Sequence, residues 1–111
     1  MERVRRAADN SALVLGAYVD GVQAGYLRVV SDKTRFAYLC DVWVEEVHRG
    51  KGIARRMVQA ALEHPDFVTV NWLLATLDAH GVYAKLGFTP LPDPARFMSK
   101  GNFCTGVQAS A

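Results

Sequence analysis

Between Val42 and Met57 an apolar, β-type run passes through a glycine-rich basic turn straight into a segment of helical period. Residues 35–44 (RFAYLCDVWV) are apolar at nearly every position, which predicts a central strand covered on both faces. From Gly52 the period changes. Ile53, Ala54, Met57, Val58, Ala61 and Leu62 recur at helical spacing, while Arg55, Arg56, Gln59 and Glu63 fall on the other side, giving an amphipathic helix that ends near Pro65. The turn Arg49-Gly50-Lys51-Gly52 therefore joins the end of a buried strand to the start of a helix. The first amides of a helix lack intrahelical acceptors and carry partial positive charge, so such a turn presents N–H groups to an anion. Glycines admit ligand oxygens close to the backbone, and Lys51, Arg55 and Arg56 add formal charge. A phosphate or pyrophosphate suits this constellation; the alternative is a basic helix start with a solvated face.

The flanking sequence supplies a mixed α+β frame. Residues 12–19 (ALVLGAYV) and 22–30 (VQAGYLRVV) are β-rich runs separated by Asp20-Gly21, a pair that tolerates positive φ and so suits a tight hairpin. Ser31 to Thr34 forms the next turn, and residues 35–44 complete a three-stranded antiparallel meander. After the helix, residues 67–76 (FVTVNWLLAT) read as a buried strand, 77–86 as a short helix stopped by Gly87, and 88–91 as a last strand. The order is a meander with β-α-β-α-β running on from its third strand, in one domain over residues 1–98, with 99–111 small and polar enough for a loosely ordered tail.

Composition removes several function classes. A net charge of +2 is too small to point to a nucleic-acid partner, and no aromatic residues interleave with the basic ones at 49–56. Cys40 and Cys104 form neither a disulfide framework nor a metal spacing, which fits a reducing, cytoplasmic compartment. His48, His64 and His80 have no partner ligands at metal spacing, so no metal is expected. No apolar run approaches the length of a membrane span, and the charged residues 1–10 do not resemble a signal peptide.

Which phosphate-bearing ligand follows from the details of the turn. A nucleotide P-loop needs a hydroxyl residue after its lysine, where Gly52 stands, and the dinucleotide fingerprint counted from Gly50 places Arg55 where its last glycine belongs. Arg49, Gly52 and Ala54 instead match the pattern Arg/Gln-x-x-Gly-x-Gly/Ala, and Tyr83-Ala84-Lys85-Leu86-Gly87-Phe88 matches Tyr-x-x-x-Gly-Phe further along. On these two motifs the chain resembles the GNAT superfamily of N-acetyltransferases over about residues 11–98.

That resemblance implies a three-layer GNAT-like fold that uses acetyl-CoA as co-substrate and a primary amine of a small molecule or peptide as acceptor. It places Arg49, Gly50, Lys51, Gly52, Ile53, Ala54 and Arg55 on the pyrophosphate. The strand before the motif is expected to splay from the strand after the helix, leaving backbone around Val42, Trp43 and Val44 free to pair with the pantetheine arm. A backbone N–H near Val42 or Trp43 would hold the oxyanion of direct attack. Tyr83, a phenol with an ordinary pKa of about 10, would protonate the leaving thiolate. The amine, with an ordinary pKa of about 10.4, needs a proton acceptor, for which Asp41 is the nearest carboxylate; its alternative is a structural one, bonded to backbone amides or to an arginine. Glu45 and Glu46 are further candidates for the base, or part of a solvated loop. Asp78 stands where many members carry an asparagine that bonds the arm, which weakens that contact. His80 either tunes Tyr83 or packs at the surface, Trp43 and Trp72 either line an acceptor pocket or fill the core, and His48 reads as turn filler. Members of the superfamily usually carry a strand and one or two helices before the hairpin, whereas here residues 1–10 offer only a stub with Val4 and Ala7 spaced to pack. The exposed sheet this leaves leads to the expectation of a homodimer. A non-catalytic CoA-binding module with a cut-down acceptor site is the rival reading.

Overall fold

The computed structural model describes residues 2–101. Helix α1 (Glu2–Asp9) leads into strands β1 (Leu13–Val19), β2 (Val22–Ser31) and β3 (Phe36–Val44), then helix α2 (Ile53–Glu63), strand β4 (Asn71–Leu73) and helix α3 (His80–Ala84). Single 3-10 turns lie at Glu46–His48, Pro65–Phe67 and Pro94–Arg96. The sheet order is β1-β2-β3-β4, antiparallel across the meander and parallel between β3 and β4. This is the mixed α+β architecture the residue pattern predicts.

The hairpin turns on Asp20 and Gly21, with φ of 51° and 79°, and the next turn is held by Asp32, whose Oδ1 accepts from the amides of Thr34, Arg35 and Phe36 at 2.9, 2.9 and 3.1 Å. These bonds hold the Asp32 carboxyl below its ordinary range. Alternation on the strands sends Leu27, Val29, Ala37, Leu39, Val42 and Val44 to one face, where Ala54, Met57, Val58 and Ala61 of α2 and Tyr83 of α3 close the core. Burying a side chain such as Leu27 or Val58 stabilises the fold by about 1.5–3 kcal/mol.

Four sequence expectations need correction. β3 is only partly covered on the face away from α2: Cys40 is buried there opposite Arg28, but Phe36 and Trp43 are exposed, and α1 buries none of its residues, with Val4, expected to pack, standing 62% exposed. The strand expected over 67–76 shrinks to Asn71–Leu73; Pro65 starts a 3-10 turn that ends at Phe67, and Phe67 enters the core from there. The helix expected over 77–86 spans only His80–Ala84. Residues 88–91 form no strand, so β4 is an edge strand with a cleft beside it. Of the tail expected over 99–111, residues 99–101 are exposed and 102–111 lie outside the described residues.

Candidate functional site

The glycine-rich turn folds as two left-handed residues flanking a lysine. Gly50 and Gly52 sit at φ of 80° and 79°, a region a Cβ penalises, and a Cβ at either would meet no atom within 4 Å, so the backbone there faces open space. Gly52 caps α2 without a side-chain acceptor. Among the described residues nothing accepts from the successive amides of Gly50 to Arg55; the first bonded one is Arg56, donating to the Gly52 carbonyl at 3.1 Å. A run of N–H groups without acceptors at a helix start is chemically suited to an anion, and the turn is called the cradle below. Arg49, Gly50, Lys51, Gly52, Ile53, Ala54 and Arg55 line a cleft of 550 Å³ together with Val44, His48, Val82 and Lys85.

Three of those neighbours were not assigned to the site from sequence. Val82 and Lys85 come from α3 and the residue after it, so the cradle is walled on its far side by a second basic residue. His48 is more than turn filler: its ring lines the cleft and its Nδ1 is enclosed without a hydrogen-bond partner. Arg49 turns away from the cradle's centre, its Nε donating to the Val44 carbonyl at 2.9 Å. That bond ties the turn to the end of β3. It also occupies one of the backbone groups expected to stay free at Val42 to Val44.

The two parallel strands part early. β3 pairs with β4 at Phe36↔Asn71, Ala37↔Trp72 and Tyr38↔Leu73, and beyond these β3 runs on to Val44 with no strand on that side among the described residues. β3 also carries a bulge: Tyr26 faces Trp43 and Arg28 faces Cys40, so Asp41 and Val42 share the space opposite Leu27. Asp41 takes the strained residue of the bulge at φ 57°, an uncommon value for a residue with a Cβ. Its Oδ2 accepts from Arg28 Nε, and Arg28 Nη1 donates onward to Ser11 Oγ at 3.2 Å. Burial lowers the Arg28 guanidinium, but Asp41, Cys40 and Tyr26 outweigh it and raise it overall. Burial is also the main cause that pushes up the Tyr26 phenol beside this pair. Thus the aspartate has an arginine partner, the structural arrangement weighed for it from sequence, while its Oδ1 has no partner among the described residues.

Tyr83 lies in the core, 2% exposed, its ring edge-on to Phe88 at 5.8 Å between centroids. Its hydroxyl is buried and has no hydrogen-bond partner among the described residues. Burial, together with the negative charge of Asp78, pushes its pKa up to about 12, so it stays a proton donor through the neutral range. His80 is exposed at the start of α3 and does not figure among the charges acting on it. Tyr83 lines a cleft of 970 Å³ that follows residues 70–77 and returns along 86–92. α3 therefore separates two clefts, one basic and one largely apolar. Trp72 lines the second and packs edge-on to Phe67 at 5.5 Å. Val42 is buried in the core, Trp43 is exposed on the other face of the sheet, and Glu45 and Glu46 are exposed beyond β3.

Among the described residues no three His, Cys, Asp or Glu side chains gather as a metal site, and no helix is long and apolar enough to cross a membrane.

Comparison with known proteins places the chain's fold in one family. The family model for the acetyltransferase (GNAT) family matches residues 1–88. A GNAT-family protein from Xanthomonas campestris pv. campestris superposes with a TM-score of 0.85 at 44% identity, over 90% of this chain and 70% of that one. A GNAT-family N-acetyltransferase from Escherichia coli, solved in complex with CoA, superposes at 0.60 with 26% identity over 79% of this chain and 52% of that one. Glucosamine-6-phosphate N-acetyltransferase from Arabidopsis thaliana shares the fold at a TM-score of 0.65 and 18% identity, over 92% of this chain and 73% of that one. No curated protein matches the chain.

Proposed function

Since the chain belongs to the acetyltransferase (GNAT) family, we propose that it moves the acetyl group of acetyl-CoA to a primary amine of a small molecule or peptide by direct attack. One observation carries the reading: the acceptorless amides of Gly50 to Arg55 and the partnerless, buried Tyr83 hydroxyl lie on either side of α3, one group fit for a pyrophosphate and the other for a leaving sulfur.

In this reading the amides of Gly50 to Arg55 bind the pyrophosphate, with Lys51, Arg55 and Lys85 supplying charge around it. The edge of β3 left open beyond Tyr38 pairs with the pantetheine arm, as an added strand would. The neutral amine forms its C–N bond to the thioester carbon while a backbone N–H near Val42 or Trp43 holds the carbonyl oxygen as it becomes negative. The C–S bond then breaks, and Tyr83 gives its proton to the departing sulfur and recovers one from water. Asp41, through the oxygen that Arg28 leaves free, takes the proton lost by the amine, directly or across a water.

The test has two parts. At a hundred times its dissociation constant, acetyl-CoA should stabilise the protein by about 2.7 kcal/mol, several degrees of melting temperature for a domain of this size. Free CoA thiol should then appear when an amine panel is added. A melting curve unmoved by saturating acetyl-CoA refutes the reading. A shift with no thiol above background across the panel leaves a binding module in place of an enzyme.

A further inference from the structure

The cleft at the start of α2 holds more positive charge than a pyrophosphate uses. Arg49, Lys51 and Arg55 line it from the turn and the first turn of α2, and Lys85 lines it from the end of α3, so four cations share one space of 550 Å³. Among the described residues no aspartate or glutamate lines the cleft, and none of the four cations is paired with a carboxylate. Like charges gathered around a concave surface raise the potential inside it, which draws in an anion of matching charge.

Counting that charge identifies what is missing. A pyrophosphate esterified at both ends carries a single negative charge on each phosphate, and the acceptorless amides of Gly50 to Arg55 already suit its oxygens. A phosphate monoester adds about 1.5–2 further charges at neutral pH. The two groups together match the cations of the cleft, whereas the pyrophosphate alone matches half of them. The volume also lies in the range that holds a small organic ligand, so room remains beside a pyrophosphate.

Lys85 stands apart from the other three cations. Arg49 is tied by its Nε to the Val44 carbonyl, and Lys51 and Arg55 belong to the same run as the amides. Lys85 comes from a different element, is exposed, and its ammonium has no partner among the described residues. A compact ammonium with three donors on a flexible stem suits a phosphate standing off the backbone rather than one seated on it. The competing role is compensation of the carbonyl end of α3, whose C-cap it is.

We propose that Lys85 binds a phosphate monoester on the nucleotide half of the co-substrate, so that the cleft selects CoA carrying its 3′-phosphate over dephospho-CoA. This rests on the acetyl-transfer reading and names the form of the carrier that the same site accepts.

The experiment titrates CoA and dephospho-CoA into the full chain by calorimetry at low salt. CoA should bind at least about tenfold tighter, the loss expected when a charge-assisted hydrogen bond to phosphate is removed. Lys85→Gln should lower the affinity for CoA several-fold more than that for dephospho-CoA, and so take away most of the ratio, while Lys85→Arg should retain it. Equal affinities of the parent chain for the two ligands overturn the proposal, as does a ratio that survives Lys85→Gln. A Lys85→Gln variant that melts lower without ligand and weakens both ligands alike also overturns it, since the lysine then serves α3 or the pyrophosphate. The parent reading fails separately: it falls if neither ligand binds, whereas equal binding of both sinks only this inference.

Discussion

Removing the Tyr83 hydroxyl should make the free protein more stable and the catalyst worse. The hydroxyl is buried without a partner, and a buried polar group left unsatisfied costs about 1–3 kcal/mol. Tyr83→Phe deletes that group and keeps the ring, with its edge contact to Phe88 at 5.8 Å and its place in the buried core. The expected gain is up to about 1 kcal/mol once the small void is counted, or roughly 4–8 °C in melting temperature for a domain of this length. Turnover should fall by about two to four orders of magnitude, the usual contribution of a general acid, while the affinity for acetyl-CoA changes little. The opposite signs distinguish this from ordinary core damage, which lowers both quantities. Differential scanning fluorimetry without ligand, then thiol release under saturating acetyl-CoA, reads the two effects separately. A variant that melts several degrees below the parent means that the hydroxyl has a partner in solution. A variant whose kcat stays within about threefold of the parent means that the thiolate takes its proton elsewhere.

The remaining predictions concern backbone and titration. Gly25→Ala should destabilise the fold by about 1–3 kcal/mol in chemical denaturation, because its Cβ would stand 2.9 Å from Met57 Cε and 3.1 Å from the Trp43 carbonyl. Gly52→Ala meets no neighbour within 4 Å, so its cost is the left-handed φ of 79° alone, about 1–2 kcal/mol, and a raised KM for acetyl-CoA should accompany it; an unchanged KM would place the pyrophosphate elsewhere. With a folded pKa of about 12 against about 10 in the unfolded chain, Tyr83 contributes stability that is whole below pH about 10 and lost as pH rises through about 12, because the unfolded chain releases its phenolic proton first. Tyr83→Phe should flatten the alkaline limb of a stability profile over that window. Asp32, held below its ordinary range, acts with the opposite sign: Asp32→Asn should remove part of the loss of stability as pH falls below about 4.

Regular periodicity was legible, and interruptions of it were not. The hairpin at Asp20-Gly21, the meander and α2 follow from alternation and helical spacing, and each appears within a residue or two of its expected bounds. The turn between β3 and α2 was legible too, because glycine and lysine between a strand and a helix have a local geometric reason to be there. By contrast, residues 67–76 and 88–91 are apolar enough for strands, yet only Asn71–Leu73 pairs, since a strand exists only where a neighbour supplies hydrogen bonds. The bulge at Asp41 and the Arg28 partner are contacts thirteen residues apart across a register shift, and no period reveals them. Lys85 and His48 escaped for the same reason: the turn that holds one meets the helix end that holds the other only in three dimensions.

Every group with a proposed part in the chemistry sits where the fold leaves a bond unmade. The amides of Gly50 to Arg55 lack acceptors, the β3 edge lacks a strand beyond Tyr38, the Tyr83 hydroxyl lacks a partner, and Asp41 occupies a left-handed residue in a strand. On the proposed function, each of these groups would be met by acetyl-CoA, which brings phosphate oxygens, amide groups and a sulfur in a fixed order along one arm. The binding energy of acetyl-CoA is then partly the release of stored strain and unsatisfied polarity. It follows that Tyr83→Phe, which removes one such group and leaves the amides of Gly50 to Arg55 untouched, should stabilise the free chain with little change in the melting shift that acetyl-CoA produces. Substitutions in the α2 face of the core, such as Val58→Ala, should lower both melting curves together and leave that shift unchanged.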